Sequence, residues 1–163
     1  ALALGDALAV ALLDARGFGP DDFARSHPGG SLGRRLLTHV RDVMRSGDDV
    51  PTVGLLTGVS DAILAMSRGG LGLVAVVGDD GQVLGIFTDG DLRRAFEKRF
   101  DLQAARIDSV MHANPRTIGP DRLAVEAVEM MERYRINALL VADADGHLLG
   151  ALNMHDLFTA RVI

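Results

Sequence analysis

The sequence predicts a mixed α/β (α+β) protein built from two similar β-α-β-β-α modules. The segment from Asp61 to Arg93 returns, shifted by a constant 65 positions and without a gap, at residues 126–158. In each copy, apolar residues at helical spacing are followed by two short apolar runs on either side of a Gly-containing turn, which is typical of a helix and a β-hairpin. A repeat of this length indicates two duplicated modules rather than a solenoid of small units.

The two copies match at positions spread over the whole repeat. The matched pairs are Ala62 and Ala127, Met66 and Met131, Arg68 and Arg133, Val76 and Val141, Gly81 and Gly146, Gly85 and Gly150, and Asp91-Leu92 and Asp156-Leu157. Upstream, if small insertions are allowed, Asp42-Val43-Met44 corresponds to Ser109-Val110-Met111, and Pro51 corresponds to Pro115. A module of about 60 residues buries only roughly 60% of the surface of its unfolded chain. The two modules are therefore expected to share an apolar interface.

The composition of the chain indicates which kinds of binding partner are expected. The formal net charge is −5, and the 17 Lys and Arg residues are scattered among 22 Asp and Glu without a basic block, which argues against nucleic acid as a partner. The lack of cysteine excludes a disulfide framework and a thiolate metal site, and it fits a reducing cytoplasm. No apolar run reaches the roughly 18 residues of a membrane-spanning helix, and no signal-peptide pattern opens the chain. These features predict a cytoplasmic protein without a membrane partner.

Residues 1–38 precede the modules and are predicted to form a helical tail and a linker. Residues 1–16 are rich in Ala and Leu, and Gly17 is a plausible C-terminal cap for a helix. A helix that is apolar nearly all round is normally buried, so we expect it to be the end of a domain cut from this chain and to pack on the modules or on a second copy. The run His27-Pro28-Gly29-Gly30 predicts a turn before a second short helix.

The first module is predicted over residues 40–99 and the second over residues 107–163, with a link from Phe100 to Asp108. In the first, the expected elements are a strand at Pro51–Val53, a helix with Val59, Ala62, Ile63 and Met66, strands at Leu71–Val77 and Val83–Phe87, and a helix with Leu92, Ala95 and Phe96 on one face. In the second, they are Arg116–Ile118, Ala124–Arg135, Ala138–Ala142, Leu148–Leu152 and Met154–Ala160. The last two strands of each module are expected to pair as a hairpin.

A strand-to-helix junction carries the most informative motif, Gly85-x-x-Thr88-x-x-Asp91. One interpretation is structural: Thr88 accepts a hydrogen bond from the amide three residues on, Asp91 reaches back, and each interaction contributes about 1 kcal/mol to the helix. The other is functional: the hydroxyl and the helix N-terminus hold a phosphate, while the Asp91 carboxylate accepts hydrogen bonds from ribose hydroxyls. Local physics leaves the two interpretations nearly even.

The tandem β-α-β-β-α order, with Gly-x-x-Thr-x-x-Asp at the last strand-to-helix junction, resembles a pair of cystathionine-beta-synthase (CBS) domains. The resemblance covers the chain from about Val40 onward and implies modules packed about a pseudo-two-fold axis with two clefts between them. In that family the junction Thr and Asp contact nucleotide phosphate and ribose, and Thr88 and Asp91 carry this pattern. In the second junction Asn153 replaces the threonine and Asp156 remains a possible ribose ligand, so we expect unequal ligand binding.

Three stretches are similar to the D-arabinose 5-phosphate isomerase family: Ser26 to Arg34, Gly85 to Arg94, and Asn153 to Leu157. Members join a sugar isomerase (SIS) domain to a CBS pair and interconvert ribulose 5-phosphate and arabinose 5-phosphate, on the route to the lipopolysaccharide sugar Kdo. The resemblance implies that residues 1–38 are the tail and linker of a SIS domain, in which His27 matches an active-site histidine. One histidine cannot supply the base, the polarising group and the phosphate loop of an isomerase, so this chain alone is expected to be inactive.

A regulatory nucleotide is the ligand that the resemblance implies, and no cofactor is expected to be required. Adenine nucleotides, AMP or ATP, are common ligands of CBS pairs, whereas the activated end product CMP-Kdo offers a carboxylate and a phosphate that would suit Thr88 and Arg93. Arg116 or His155 would complete that anion site. The rival interpretation is a structural module that only holds an oligomer together. The resemblance also implies contact with the chain's own SIS domain, a homodimer of CBS pairs and a tetramer of the parent protein.

No metal site is predicted from the sequence. His112, His147 and His155 are separated by turns and lack a second ligand at metal spacing, so exposed or capping histidines are expected. Arg93 is expected on a solvated helix face, close enough to the junction to reach an anionic ligand. The candidate chemistry of the chain is therefore anion and hydroxyl recognition at the two junctions.

Overall fold

A computed structural model of the chain describes residues 11, 12, 14–17, 22 and 37–163. Within the predicted tail, residues 11, 12, 14 and 15 are helical, and Gly17 follows with a φ of +63°. The described residues of this helix are exposed. His27, the turn predicted around it and most of the helix predicted from Ser31 to Thr38 lie outside the described residues.

The first module has the predicted β-α-β-β-α order. Its elements are β1 (Thr52–Gly54), α1 (Val59–Gly69), β2 (Leu73–Val77), β3 (Val83–Thr88) and α2 (Asp89–Glu97). Strand β2 is central, because it pairs parallel with β1 and antiparallel with β3, which confirms the predicted hairpin. Residues from Leu73 to Val76 have no exposed surface, and this explains why the run contains only apolar side chains.

A two-residue strand, β4 (His112–Ala113), precedes the second module. The module itself consists of β5 (Thr117–Ile118), α3 (Ala124–Tyr134), β6 (Ala138–Ala142), β7 (Leu148–Asn153) and α4 (Met154–Thr159). Its sheet has the order β5-β6-β7, with one parallel and one antiparallel pair, as in the first module. None of the described helices is long and apolar enough to cross a membrane.

Three apolar clusters hold the modules together. One lies inside the first module around Phe87, and another inside the second around Leu157. The third joins the two sheets and contains Val50, Leu71, Leu73, Ala75 and Ile86 from the first and Leu140 and Ala151 from the second. Full burial of a leucine or isoleucine contributes about 1.5–3 kcal/mol, so either module alone would lose much of its stability. The shared apolar interface expected from the small size of each module is therefore confirmed.

The segment before each module packs on the other module. In the first strap, residues 38–46, the Arg45 N–H donates to Ala151 O of β7 at 2.8 Å, and the Ala151 N–H donates to Arg45 O at 3.0 Å. Val40 of the same strap is fully buried in the core of the second module. The second module is thus completed by residues that come before the first module in the chain.

The second strap, residues 105–113, makes the converse exchange. Its strand β4 pairs antiparallel with β3 and brings His112 opposite Ile86. Ile107 is fully buried in the core of the first module, and its N–H donates to Thr57 O at 2.8 Å. Residues that the sequence pattern assigned to a simple link therefore belong to the first core. The reciprocal exchange relates the two modules by an approximate two-fold axis.

Gly85 and Gly150, the glycines of the repeated motif, lie under the straps. A Cβ atom added at Gly150 would lie 2.5 Å from the carbonyl oxygen of Arg45. A Cβ atom added at Gly85 would collide with the sulfur of Met111 and lie 3.2 Å from the carbonyl oxygen of His112. A residue without a side chain is required where another backbone approaches a strand this closely. The repeated glycine thus marks the place where each strap crosses a strand.

Phe96 faces away from the core, contrary to the prediction that it shares the inward face of α2 with Leu92 and Ala95. Its side chain is 75% exposed, whereas Ala95 is buried. Successive helical residues are rotated by about 100°, so the inward position of Ala95 in the last turn leaves Phe96 at the side of the helix. Leu92 packs against the first core as expected.

Replacing Gly150 by alanine is expected to lower the free energy of unfolding by about 1–3 kcal/mol, because the added methyl group would push the first strap away from β7. Urea unfolding followed by circular dichroism measures the change. Gly119→Ala is the control, since a Cβ atom there has only Arg122 Cγ nearby, at 3.8 Å. An equal loss of stability in both variants would contradict the role given to the close approach.

Candidate functional site

Thr88 is the last residue of β3 and caps the N-terminus of α2. Its backbone is extended, and its hydroxyl oxygen accepts a hydrogen bond from the Asp91 N–H at 3.3 Å. The Asp91 carboxylate reaches back, so that its Oδ2 accepts from the Thr88 N–H at 2.9 Å and from the Thr88 hydroxyl at 2.6 Å. This is the capping box that the structural interpretation of the motif predicted.

Within residues 37–163, the outer oxygen of Asp91 accepts a side-chain hydrogen bond from one exposed partner. Asp91 Oδ1 accepts from Nη2 of Arg94 at 2.6 Å, and the side chains of Asp91 and Arg94 are 12% and 62% exposed. An ion pair with an exposed arginine contributes at most about 1 kcal/mol. A ligand hydroxyl can therefore replace Arg94 on this oxygen without disturbing the packing of the modules.

The second junction repeats the capping box with asparagine. Asn153 Oδ1 accepts from the Asp156 N–H at 3.0 Å, and Asp156 Oδ2 accepts from the Asn153 N–H at 3.0 Å. The other oxygen, Asp156 Oδ1, accepts from Nε and Nη2 of Arg45 at 3.1 Å and 3.0 Å. The side-chain amide of Asn153 donates to the Leu71 carbonyl oxygen at 3.5 Å, which joins this junction to the first module.

Arg45 is a candidate site residue that the sequence did not reveal. It lies in the first strap, its side chain is 31% exposed, and its Nη1 donates to the carbonyl oxygen of Gly69 at 3.3 Å. The guanidinium thus joins the C-terminal end of α1 in the first module to Asp156 in the second. In strand register its counterpart is His112, since the two residues pair with equivalent positions of β7 and β3. Because the two residues differ in type, the repeat carries no signal of this contact.

Arg93 and His155, two of the predicted ligand-binding residues, lie at the junctions without protein partners. Arg93 is in α2 and His155 is in the first turn of α4, and both are exposed. Within residues 37–163, neither side chain makes a hydrogen bond or an ion pair. Both are therefore available to an anionic ligand, one at each junction.

Arg116, the remaining predicted residue, stacks on an aromatic ring. Its Cζ lies 3.6 Å from the centroid of Tyr134, which is the last residue of α3. Among the described residues, no hydrogen bond joins Arg116 to Thr88 or Asp91. The structure therefore does not bring all the predicted residues into one set of contacts, and it adds Tyr134 as the immediate partner of Arg116.

The two clefts differ in how full they are. Strand register makes Arg116 the counterpart of Pro51, and the repeat makes Tyr134 the counterpart of Gly69. Small side chains beside Gly69 leave an open groove of about 360 Å³. The groove is lined by Gly47, Asp48, Val50, Pro51, Thr52, Ala65, Arg68 and Gly69. At the corresponding place in the second module, the arginine and the tyrosine ring fill space that the first module leaves open.

Another polar cluster lies at the turn between β6 and β7. Ligand atoms of Asp143, Asp145 and His147 lie within 4.8 Å of one another, although the sequence pattern gave His147 no second ligand. Asp143 Oδ1 accepts from the N–H groups of Asp145 and His147, at 3.0 Å and 2.8 Å. These bonds, that from His147 most of all, hold the pKa of the Asp143 carboxyl below its ordinary value. The hydrogen bonds of a tight turn account for the cluster.

Two modules that exchange straps, and that each carry a capped strand-to-helix junction beside a shared interface, define a pair of CBS domains. The chain belongs to the CBS-domain family, since the model of the CBS domain matches residues 40–98 and 107–163. It is similar to the arabinose 5-phosphate isomerase KdsD of Pseudomonas aeruginosa, with 52% identity over 162 residues that cover 99% of this chain and 50% of that protein. The chain spans about half the length of the curated relatives it matches.

Solved structures of CBS proteins have the same fold. The CBS-domain containing protein ATU1752 from Agrobacterium tumefaciens matches with a TM-score of 0.68 and 29% identity, over 76% of this chain and 93% of that one. The CBS domain protein PAE2072 from Pyrobaculum aerophilum, complexed with AMP, matches with a TM-score of 0.66 and 20% identity, over 73% of this chain and 89% of that one. The fold class predicted from the sequence is thereby confirmed.

Thr88→Ala is expected to lower the free energy of unfolding by about 1 kcal/mol, because the N-terminus of α2 loses its side-chain cap. Thr88→Ser keeps the hydroxyl and is expected to retain most of that stability. Guanidinium unfolding of the two variants beside the wild type makes the comparison. If alanine and serine were equivalent at this position, the cap would not be stabilising α2.

Proposed function

We propose that this CBS pair senses a regulatory nucleotide at the junction of Thr88 and Asp91. The observation that carries the proposal is the Asp91 carboxylate, whose Oδ1 has the exposed Arg94 as its one partner among the described residues. A carboxylate in the first turn of a helix can accept hydrogen bonds from ribose hydroxyls on its outer oxygen once these displace the exposed arginine. The neighbouring Arg93 is exposed and supplies a positive charge for a phosphate or carboxylate.

The opposite wall of the same cleft is proposed to hold the base. Arg45 links Gly69 to Asp156 across the second cleft, which is the cleft at the junction of Asn153 and Asp156. The approximate two-fold axis relates Gly69 to Tyr134 and Asp156 to Asp91, so Tyr134 is expected to lie across the first cleft from Asp91. A base stacked on an aromatic side chain contributes about 1–3 kcal/mol to binding. In the proposed complex the base and Arg116, which stacks on Tyr134 at 3.6 Å, share this ring.

The pair is proposed to be the regulatory part of a D-arabinose 5-phosphate isomerase, which converts ribulose 5-phosphate to arabinose 5-phosphate for Kdo and lipopolysaccharide synthesis. The 52% identity to KdsD over 99% of this chain supports the assignment. The nucleotide signal would pass to a SIS domain in which His27 contributes to the active site, in a cytoplasmic protein. Isomerase activity is not proposed for the CBS pair itself, because that reaction needs a base, a polarising group and a phosphate site together.

Two classes of nucleotide are candidates for the ligand. An adenine nucleotide, AMP or ATP, is supported by the AMP complex of PAE2072, which has the same fold. CMP-Kdo, the activated end product of the proposed pathway, adds a carboxylate that Arg93 or Arg116 would pair with at the first junction. At the second junction, Asn153, His155 and Asp156 would be the groups that meet either ligand.

Isothermal titration calorimetry with CMP-Kdo, CMP, AMP and ATP is expected to detect binding of at least one of them. Asp91→Asn is expected to weaken that binding at least tenfold, because a hydrogen bond to a charged group contributes about 1.5–3 kcal/mol. Asp145→Asn is the matched control, since it makes the same change at an exposed turn. The proposal fails if none of the four ligands binds, or if the Asp91 variant binds as the wild type does.

A structural role as an oligomerisation module is the second candidate, favoured by an exposed apolar patch. Phe96 and Phe100 are 75% and 42% exposed, and with Glu97 and Arg99 they line an open depression of about 540 Å³. Contiguous exposed aromatic side chains are typical of protein interfaces. The two roles are compatible, and a homodimer of CBS pairs within a tetrameric parent protein is part of the proposal.

Phe96→Glu is expected to shift a dimer of the chain to monomers, because it puts a charge into the apolar patch. Light scattering after size-exclusion chromatography measures the mass. Leu56→Glu, at another exposed apolar position, is expected to leave the dimer intact, and so is Asp91→Ala, which alters only the junction. A monomeric wild type, or a dimer that survives Phe96→Glu, would rule out this interface.

A further inference from the structure

We propose that Arg45 closes the second junction to a ribose ligand, so that the wild-type chain binds one nucleotide, at the first junction. The inference rests on the proposed nucleotide binding and deepens it, because it names the residue that sets the number of sites. Arg45 is also the group that any ligand of Asp156 has to displace. Its ion pair and a ligand at the second junction are therefore mutually exclusive.

The Asp156 carboxylate is occupied while Arg45 is in place. Oδ1 accepts two hydrogen bonds from the guanidinium, and Oδ2 accepts the Asn153 N–H. A carboxylate oxygen has about two lone-pair sites, so Oδ1 is saturated. The Nη1 of the same guanidinium donates to the Gly69 carbonyl oxygen, which holds the arginine in place over this carboxylate. A ribose diol can use this carboxylate only after the guanidinium has left.

The first junction has no such closure. His112 stands where Arg45 does, is exposed, and makes no side-chain hydrogen bond within residues 37–163. The guanidinium on Asp91 comes from Arg94 of the same helix, which is 62% exposed as against 31% for Arg45. Displacing Arg94 breaks no contact between the modules, whereas displacing Arg45 also breaks its hydrogen bond to Gly69. The two carboxylates are almost equally exposed, at 12% for Asp91 and 13% for Asp156, so the junctions differ in how firmly the paired arginine is held.

The open groove beside Gly69 is lined by residues of the first module and does not include Asp156. The hydrogen bonds of Arg45 to Asp156 and Gly69 are therefore the observations on which the closure of the second junction rests.

Calorimetric titration with AMP tests the proposal on the wild type, Arg45→Gln, Arg41→Gln and the double variant Arg45→Gln/Asp156→Asn. The wild type is expected to bind one AMP per chain and Arg45→Gln two, with the affinity at Asp156 raised by about tenfold to a hundredfold. The gain is expected to vanish in the double variant. Arg41→Gln removes the same charge from the same strap, where Arg41 pairs with the exposed Asp121, and is expected to match the wild type.

Each result decides the question. Arg45→Gln with the wild-type number of sites and the wild-type affinity overturns the closure, and so does an equal gain in Arg41→Gln. If the wild type binds no AMP but Arg45→Gln binds one that depends on Asp156, the closure holds and binding at the first junction fails. Absence of AMP binding in every variant overturns the closure and rules out AMP as the ligand of the first junction, while the titrations with CMP-Kdo, CMP and ATP decide whether that junction binds another nucleotide. Should Arg45→Gln fail to fold, Arg45→Lys, which cannot hold Asp156 and the Gly69 carbonyl together, provides the comparison.

Discussion

The exchange of straps between the modules is the constraint on which the rest of the structure depends. Each sheet lacks an edge contact until the other module's strap supplies it, through Arg45 on Ala151 and His112 on Ile86. The close approach requires a strand position without a side chain, and this accounts for Gly85 in the first half of the repeat and Gly150 in the second. The exchange also fixes the two junctions at equivalent places, because each begins where a strand crossed by a strap ends.

Equivalent placement does not make the two junctions equal. Arg45 of the first strap contacts Asp156 and the carbonyl oxygen of Gly69, whereas its counterpart His112 in the second strap makes no side-chain hydrogen bond within residues 37–163. The wall of each cleft differs as well, since Tyr134 stands on one side where Gly69 stands on the other. A duplicated fold has thus become a pair of clefts with different chemistry. The two-fold framework places the two junctions equivalently, and the side chains that differ between the copies determine which contacts each cleft can make.

Much of the fold was predictable because the signals are local and occur twice. The run from Leu73 to Val76 is apolar throughout because β2 is buried on both faces, and the capping box follows from the spacing of Thr88 and Asp91 alone. The prediction that Phe96 faces the core is wrong. Helical spacing shows which residues share a face, but it does not show which residues of the last turn contact the core. The spacing of apolar residues within a helix does not indicate where the sheet beneath that helix ends.

The contacts between distant segments could not be predicted from the sequence. Arg45 and Asp156 are far apart in the chain, and nothing in either local pattern indicates that they meet. Arg116 was expected near a ligand because its charge would suit the carboxylate or phosphate of CMP-Kdo, but its contact with Tyr134 is evident only when the strand and α3 are placed together. Contacts such as these, made by residues that differ between the two copies, cannot be inferred from the repeat.

The central claim is that the junctions are unequal, with Thr88 and Asp91 open and Asp156 closed by Arg45. The most direct measurement is a crystal structure of the wild-type chain with AMP. The account predicts AMP density at Asp91, with ribose hydroxyls within hydrogen-bonding distance of the carboxylate, and an intact ion pair between Arg45 and Asp156. Density at Asp156 with Arg45 displaced, or equal density at both junctions, would contradict it.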